Sequence, residues 1–212
     1  MITIKTFVFN AFMVNTYLLY DETREAIIVD AGCADEYEEN KLADFIESNG
    51  LKLVRNITTH CHVDHILGNA FIESQYNIRP EYHKASGPFL FTAKEVAATF
   101  GQEITGIPEA ERFLEDEEMI KWGASELKVL LAPGHADGSV CLYNKEQGFV
   151  LTGDVMFAES IGRTDLPSGN YNLLIESIQE KLLTLPDNTI VYPGHGPETS
   201  IGHERKYNPF IR

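Results

Sequence analysis

The chain has 212 residues, of which 43% are hydrophobic and 10% aromatic, which is enough to build the core of one α/β domain. Its formal net charge of −15, from 32 acidic and 17 basic residues, repels phosphate groups, so we expect no nucleic-acid partner. The N-terminus lacks the apolar stretch of a signal peptide, and no apolar run approaches the roughly 20 residues that span a bilayer, so we expect a cytoplasmic protein with no membrane partner.

The first half of the chain is predicted to begin as a sheet and to continue with helices. Alternating β-branched and aromatic residues indicate three strands joined by hairpins, at Ile2–Phe9, Met13–Tyr20 and Ala26–Asp30. A helix is predicted at Asp35–Asn49, where apolar residues recur at helical spacing and Gly50 follows. The remaining predicted elements of this half are a strand at Leu53–Thr58, a helix at Ile66–Tyr76, an extended segment at Ile78–Tyr82 and a helix at Pro88–Phe100.

The second half repeats this organisation. Strands are predicted in a group, followed by one amphipathic helix, Tyr171–Leu185, and a last strand, Thr189–Tyr192. The grouped strands are Leu127–Ala132, Ser139–Tyr143 and Phe149–Thr152. Because strands come in groups rather than in strict alternation with helices, the pattern indicates two packed sheets with helices outside. No linker composition divides the chain, so we predict one domain over residues 1–212.

The clearest chemical signal is the segment Thr59-His60-Cys61-His62-Val63-Asp64-His65. Three histidines and one carboxylate fall within six residues, directly after a predicted strand. On extended backbone, His60, His62 and Asp64 would project to one side, and a turn could then bring His65 alongside. Imidazole and carboxylate groups are ligands of zinc, iron and manganese. The segment therefore predicts a metal site.

Three further candidate ligands share the same context, a strand end flanked by small residues. His135 follows Ala132-Pro133-Gly134, Asp154 follows Thr152-Gly153, and His195 follows Tyr192-Pro193-Gly194. Glycine next to a ligand allows the backbone to approach closely and leaves room for a metal and a substrate. Taken one at a time these positions are weak signals, but together with the histidine cluster they place five of the seven histidines in one pattern.

The ligand pattern resembles that of the metallo-β-lactamase superfamily. His60-Cys61-His62-Val63-Asp64-His65 matches its HxHxDH motif, and His135, Asp154 and His195 match its later ligands in order. The resemblance implies a four-layered αββα sandwich and two divalent ions, zinc by preference, with iron or manganese as alternatives. It implies one ion on His60, His62 and His135, the second on Asp64, His65 and His195, and Asp154 as a bridge between them.

Within the superfamily, the bridging position of Asp154 is similar to that of glyoxalase II-like thioester hydrolases, because metallo-β-lactamases proper typically carry Cys or Ser there. The segment Gly162–Pro167 and the ending around Gly196–Thr199 resemble the short one-domain bacterial subgroup. The two-domain enzymes add a helical C-terminal domain that holds glutathione. Only 17 residues follow His195 here, so we expect no such domain. Arg163 matches a basic substrate-contacting position, whereas Asp165 stands where those enzymes have an aromatic residue.

The chemistry expected of such a centre is hydrolysis of a small thioester such as S-D-lactoylglutathione. Two ions lower the pKa of a bridging water and supply hydroxide, with Asp64 and Asp154 as the catalytic carboxylates. The alternative on the same fold is a persulfide dioxygenase with a single iron on His60, His135 and Asp154, and lactone hydrolysis is a further alternative. A nuclease and a purely structural zinc site are disfavoured by the acidic charge and by the number of ligands.

Other polar residues near the motifs have structural explanations as well as functional ones. Cys61 should point away from His60 and His62 and act as a small buried apolar residue. His83 and His203 are interpreted as structural and surface histidines. Thr59 and Asn69 could support ligands or cap a helix, and Arg163 could contact an anionic substrate or pair with Asp165.

Overall fold

The structure, a computed structural model, describes residues 1–211. Its contacts divide the chain into two compact units. The first unit comprises Met1–Phe113 and Lys121–Ser125, and the second comprises Leu114–Ile120 and residues 126–211. Among the described residues, no helix has both the length and the apolar character needed to cross a membrane. That residues 1–212 form a single domain stays a prediction.

The first unit is built on a six-stranded sheet. Its strands are β1 Thr3–Phe9, β2 Val14–Tyr20, β3 Glu25–Val29, β4 Lys52–Ile57, β5 Pro80–His83 and β6 Arg112–Leu114. They lie side by side in chain order, with β1, β2 and β3 antiparallel and with β3, β4 and β5 parallel. The carboxyl ends of β3, β4 and β5 therefore meet at one edge of this sheet.

Three α-helices accompany this sheet: α1 Glu36–Ser48, α2 Asn69–Tyr76 and α3 Ala93–Thr99. The Asp35 side chain caps α1 by accepting a hydrogen bond of 2.9 Å from the Glu38 amide, so the predicted helix is confirmed to within a residue at each end. Helix α2 begins three residues later than predicted. The Gly68 amide donates to the Ala31 carbonyl at 2.8 Å, and a Cβ on Gly68 would lie 2.3 Å from Cys33 Sγ, so the chain is tied to β3 before the helix starts.

The predicted helix Pro88–Phe100 forms as two pieces, a 3₁₀ segment Lys84–Phe91 followed by α3. The core of this unit lies where the sheet packs on α1, with Leu18, Ile28, Leu42 and Ile46 all buried. Burying such a side chain stabilises a fold by about 1.5–3 kcal/mol. The core therefore fixes the position of the strand ends that follow it.

The second unit contains another six-stranded sheet. Its strands are β7 Met119–Trp122, β8 Ser125–Leu131, β9 Val140–Asn144, β10 Phe149–Gly153, β13 Ile190–Pro193 and β14 Thr199–Ser200, and a separate hairpin is formed by β11 Met156–Phe157 and β12 Ser160–Ile161. The order across the sheet is β14-β13-β10-β9-β8-β7. Strand β13 is parallel to β10, and β9 is antiparallel to both β8 and β10. Strands β8, β10 and β13 thus run in one direction and end at the same edge.

Two α-helices belong to this unit, α4 Tyr171–Ser177 and α5 Ile201–Tyr207. The predicted helix Tyr171–Leu185 is confirmed in position, but its second part, Ile178–Leu182, is a π-helix. Its buried face packs in one cluster with the sheet, including Leu174 and Ile178 against Val150. The short strands β6, β7, β11, β12 and β14 and helix α5 were not predicted.

Candidate metal centre

Four of the seven predicted ligands lie together in the first unit, directly after β4. The backbone there is irregular at His60 and His62 and turns into a 3₁₀ helix at Val63–His65. The expectation that Asp64 would share an extended face with His60 and His62 is therefore wrong, because Asp64 lies in the turn. The turn brings His65 Nε2 to 3.5 Å from Asp64 Oδ2, and His60 Nε2 lies 3.1 Å from His62 Nδ1.

A buried aspartate that sequence reasoning missed holds this segment in place. Asp30 follows β3, and its carboxylate accepts hydrogen bonds from the Thr59 amide at 2.7 Å and the Thr59 hydroxyl at 2.8 Å. Its Oδ2 also lies 2.9 Å from His65 Nδ1, and both side chains are almost fully buried. A carboxylate this close to Nδ1 favours the tautomer with the proton on Nδ1, which leaves the lone pair of His65 on Nε2 for a metal.

The prediction that Thr59 supports a ligand agrees with this network, since its hydroxyl also lies 3.2 Å from His60 Nδ1. Asn69, the other candidate, instead accepts a hydrogen bond of 2.9 Å from Asn56 on β4. The signal for Asp30 was present in the sequence. In Asp30-Ala31-Gly32 a polar residue at the end of a buried strand is followed by small residues, a context similar to that of the candidate ligands.

The other three predicted ligands lie together in the second unit, at the shared edge of β8, β10 and β13. Asp154 Oδ2 is 3.6 Å from His135 Nε2 and 3.6 Å from His195 Nε2. The Gly194 amide donates to the Gly153 carbonyl at 2.7 Å, which ties the two neighbouring strand ends together. Three residues that are far apart in the sequence thus become neighbours through the sheet topology.

His135 is oriented by the backbone of the loop that follows β12. Its Nδ1 lies 2.8 Å from the Arg163 carbonyl oxygen, an acceptor only, so Nδ1 carries the proton and Nε2 keeps its lone pair. This approach requires glycine at the preceding position, because a Cβ on Gly162 would lie 1.9 Å from the Asp154 carbonyl oxygen. The small residues around the ligands therefore have a packing explanation.

The donor atoms fit a divalent metal ion. The three nitrogen–oxygen separations between ligand side chains are 3.5, 3.6 and 3.6 Å. They are longer than the roughly 2.7–3.2 Å of a direct hydrogen bond. Two donors that each bind one ion at about 2.0–2.2 Å with a tetrahedral angle lie about 3.4 Å apart. Grouped histidines and aspartates of this kind could hold a metal ion.

The Arg163 side chain is engaged by its neighbour Asp165. Its guanidinium makes two hydrogen bonds of 2.8 Å to the two carboxylate oxygens, and the side chains are 60% and 69% exposed. The hydrogen bond from Arg163 lowers the pKa of Asp165 to about 2, so the pair stays ionised at neutral pH. Of the two explanations open for this side chain, pairing with Asp165 is the one that the structure shows.

The remaining histidines and Cys61 have local roles. His83 ends β5, and its Nδ1 accepts a hydrogen bond of 3.3 Å from the Ala85 amide at the start of the 3₁₀ segment. His203 lies at the surface, 2.9 Å from Glu159. Cys61 is buried, and burial raises the pKa of its thiol to about 12, as expected for an apolar role rather than a thiolate ligand.

Comparison with known proteins identifies the family. Residues 9–195 match the metallo-β-lactamase superfamily. The chain belongs to this superfamily. The predicted metallo-β-lactamase fold is also confirmed: the crystal structure of the BLEG-1 B3 metallo-β-lactamase superposes with a TM-score of 0.89 at 34% identity, covering 99% of each chain. Membership indicates a metal-dependent enzyme of the metallo-hydrolase type.

Two further similar proteins bear on the activity and on the metal. Hydroxyacylglutathione hydrolase GloC of Haemophilus influenzae is 35% identical over 208 residues, covering 95% of this chain and 94% of GloC. The crystal structure of TTHA1623 in a di-iron-bound form superposes with a TM-score of 0.86 at 32% identity, covering 97% of this chain and 99% of that one. The chain is thus similar to one protein named as a hydroxyacylglutathione hydrolase and to another solved in a di-iron-bound form.

Proposed function

We propose that this protein is a binuclear metal-dependent hydrolase that cleaves acyl-thioesters of glutathione, such as S-D-lactoylglutathione. The observation that carries the proposal is the position of Asp154 Oδ2, which is equidistant, at 3.6 Å, from the Nε2 atoms of His135 and His195. A carboxylate placed between two imidazole ligands is suited to share its charge between two ions.

We further propose how the seven ligands are divided between two divalent ions. His60, His62 and His135 would hold one ion, Asp64, His65 and His195 the other, and Asp154 would bridge them. Neutral imidazole nitrogens and carboxylate oxygens, without a thiolate, are donors accepted by zinc, iron and manganese. Zinc is our first choice, and the di-iron form of TTHA1623 supports iron as the alternative.

Similarity to GloC supports a thioester as the substrate class. GloC, at 35% identity over nearly the whole chain, is named for hydrolysis of hydroxyacylglutathione. A thioester also suits the donor set, because a thiolate leaves readily without a strong general acid. None of the seven proposed ligands is a lysine, tyrosine or arginine, so the ligand set itself supplies none of these side chains as a general acid.

The roles of the side chains follow from their contacts. When bound, two divalent ions lower the pKa of water and polarise a carbonyl group. Asp64 and Asp154 are acceptor-only carboxylates, so each can accept a hydrogen bond from the attacking water and orient its lone pair towards the carbonyl carbon. Asp30 and the Arg163 carbonyl keep the rings of His65 and His135 in one tautomer, so that these rings need no reorganisation during turnover.

The experiment that tests the proposal measures thiol release from glutathione and coenzyme A thioesters with the metal-loaded enzyme. We expect hydrolysis of S-D-lactoylglutathione that is abolished by a chelator and restored by zinc, iron or manganese. Two parallel assays use a chromogenic cephalosporin and glutathione persulfide with an oxygen electrode. Hydrolysis of the cephalosporin alone, or oxygen uptake without thioester cleavage, would overturn the proposal.

A reducing, cytoplasmic environment is part of the proposal. Cys33, Cys61 and Cys141 are all free and buried. Burial raises the pKa of each thiol above its ordinary value, so the thiols stay protonated and unreactive. A glutathione thioester would be encountered in such a compartment.

A further inference from the structure

A fully buried carboxylate that is not a candidate ligand lies on helix α5 of the second unit. It belongs to Glu204. Its Oε1 accepts a hydrogen bond of 2.6 Å from the Thr199 hydroxyl, and its Oε2 accepts one of 2.9 Å from the Glu159 amide and one of 2.8 Å from the Asn208 side-chain amide. Glutamate is almost never fully buried without such partners. The carboxylate thus joins β14, the end of α5 and the β11–β12 hairpin.

The β11–β12 hairpin depends on this network for its position. Each of its strands has only two residues, and Glu159 lies in the turn between them with φ of 54°. A hairpin this short has little stability of its own. The Asn208 side-chain amide also donates to the Ser160 carbonyl at 3.0 Å, so the network reaches the first residue of β12. Buried polar groups with all these bonds made are rigid, so the hairpin is held in one place.

All three candidate ligands of the second unit adjoin this hairpin. Asp154 lies two residues before β11. The ring of Phe157 on β11 contacts the ring of His195 edge-on, with centroids 6.2 Å apart. Two residues after β12, the Arg163 carbonyl oxygen lies 2.8 Å from His135 Nδ1. A displacement of the hairpin would therefore be transmitted to each of these ligands.

Stability alone does not explain a carboxylate at this position. A buried carboxylate loses its hydration, and replacing buried charged groups by apolar side chains of similar volume is often neutral or stabilising. The bonds of a carboxylate are directional, however, so they fix its partners in one arrangement. A metal centre needs such an arrangement, because a shift of about 1 Å in a catalytic group can lower the rate about 100-fold.

We infer that Glu204 is a positioning residue of the metal centre. It holds the β11–β12 hairpin against α5 and β14 and thereby keeps the ligands of the second unit in place to bind metal. This inference rests on the metal centre of the proposed function and not on the identity of the substrate. Loss of a group that supports ligands lowers metal affinity or activity by about 10–100-fold, and Glu204 acts through the hairpin, so we expect about 10-fold.

The test compares Co²⁺ binding by the full-length wild type, Glu204→Met and Glu204→Gln. Methionine matches the length of glutamate but is a weak acceptor, whereas glutamine can accept from Glu159 and Asn208 and donate to the Thr199 hydroxyl. Chelator competition gives the affinity for Co²⁺, and its visible absorption spectrum reports the geometry of its ligands. We expect Glu204→Met to bind Co²⁺ about 10-fold more weakly with an altered spectrum, and Glu204→Gln to recover most of both.

Two further variants separate positioning from stability. Thr199→Val removes one of the three hydrogen bonds at a half-buried position and should give a smaller loss in the same direction, which keeps the inference testable if Glu204→Met does not fold. The matched control is Asn144→Ala at the end of β9, the opposite edge of the sheet. It removes buried hydrogen bonds with Glu126 and Gln147 and should lower stability without changing Co²⁺ affinity.

The outcomes distinguish this inference from the proposed function. Wild-type affinity and spectrum in Glu204→Met, or in Thr199→Val if Glu204→Met does not fold, would overturn the inference and leave the proposed function standing. Glu204→Gln binding as weakly as Glu204→Met would overturn it as well. A wild type that binds Co²⁺ but cleaves no thioester when its metals are restored would overturn the proposed function alone. A wild type that binds no Co²⁺ would overturn both.

Discussion

The two groups of candidate ligands are built differently. In the first unit, four ligands fall within six consecutive residues, His60 to His65, and one 3₁₀ turn arranges them. In the second unit, His135, Asp154 and His195 are separated by 19 and 41 positions, and the common direction of β8, β10 and β13 brings them together. One group depends on a local turn, and the other depends on the topology of a sheet.

This difference shows what each group needs from the rest of the fold. A turn is flexible unless it is anchored, and the buried carboxylate of Asp30 anchors it through Thr59 and His65. Strand ends are already held by the sheet, and in the second group the Arg163 carbonyl orients His135. We therefore expect metal binding by the second group to be reduced most by substitution of a candidate ligand. Metal binding by the first group should also be reduced by substitution of Asp30, which anchors it.

The largest effect is expected from Asp154→Asn, which keeps the shape of the side chain but removes the negative charge that we propose two ions share. Turnover should fall by at least about 100-fold, the scale seen when an electrostatic element of an active site is removed. The metal content, measured by mass spectrometry of the purified protein, should fall as well. Asp137→Asn, an exposed neighbour of His135, is the control. Unchanged rate and metal content would assign Asp154 a structural role only.

The next effect is expected from Asp30→Asn, which removes the anchor but no proposed ligand. Loss of a supporting carboxylate of this kind costs about 10–100-fold in metal affinity or activity. Competition with a chromogenic chelator measures the affinity, and unfolding of the metal-free protein measures stability separately. Asp44→Asn, an exposed aspartate on α1, should match the wild type. If metal affinity were retained while only stability fell, Asp30 would be a purely structural residue.

Asp21 is also a buried carboxylate, but it contacts no candidate ligand and gives a contrast with Asp30. Burial alone would raise its pKa, but hydrogen bonds from Thr23 and Ser125 and from backbone amides outweigh burial and lower the pKa from 3.8 to about 2. A lowered pKa in the folded state stabilises the fold above pH 4, and this contribution is lost as the pH falls towards 2.

We accordingly expect Asp21→Asn to reduce the free energy of unfolding by about 1–2 kcal/mol at pH 7. Urea unfolding at several pH values measures it. The difference from the wild type should shrink between pH 4 and pH 2, and the metal content should be unaffected. A difference that is constant over this pH range would contradict the assigned cause.

The smallest effect is expected from Arg163→Ala. The carbonyl that orients His135 survives this substitution, and the side chain is already paired with Asp165. We expect kcat to change little and KM for glutathione thioesters to rise by a few-fold, because a remote anion contact contributes mainly uniform binding. A neutral N-acetylcysteamine thioester provides the substrate control. A large fall in kcat with both substrates would show that the side chain acts on the ligands themselves.

The sequence indicated the candidate ligands more completely than it indicated the residues that hold them in place, such as Asp30. The seven candidate ligands were all named from the sequence, because polar residues at strand ends flanked by small residues form a repeated pattern, and their metal binding stays a prediction: His60, His62, Asp64, His65, His135, Asp154 and His195. The arrangement of Asp64 was wrong, since a 3₁₀ turn has weaker sequence signals than a strand or an α-helix. Asp30 was missed because its role depends on β3 and β4 being neighbours, which a single strand does not reveal.

The same reasoning explains which elements were predicted. Long periodic segments such as α1 and β2 were found almost to the residue, whereas β11, β12 and β14 have only two residues each and show no period. Helix α2 begins late because Gly68 packs against Ala31 and Cys33, just after β3, and this tertiary constraint overrides local propensity.

The most direct test of the central claim is a metal titration of the enzyme. The metal is removed with a chelator, zinc, iron or manganese is added back in known ratios, and S-D-lactoylglutathione hydrolysis is followed at each ratio. We predict that the metal-free protein is inactive and that activity rises with added metal until about two ions are bound per chain. Full activity in the metal-free protein would contradict the claim.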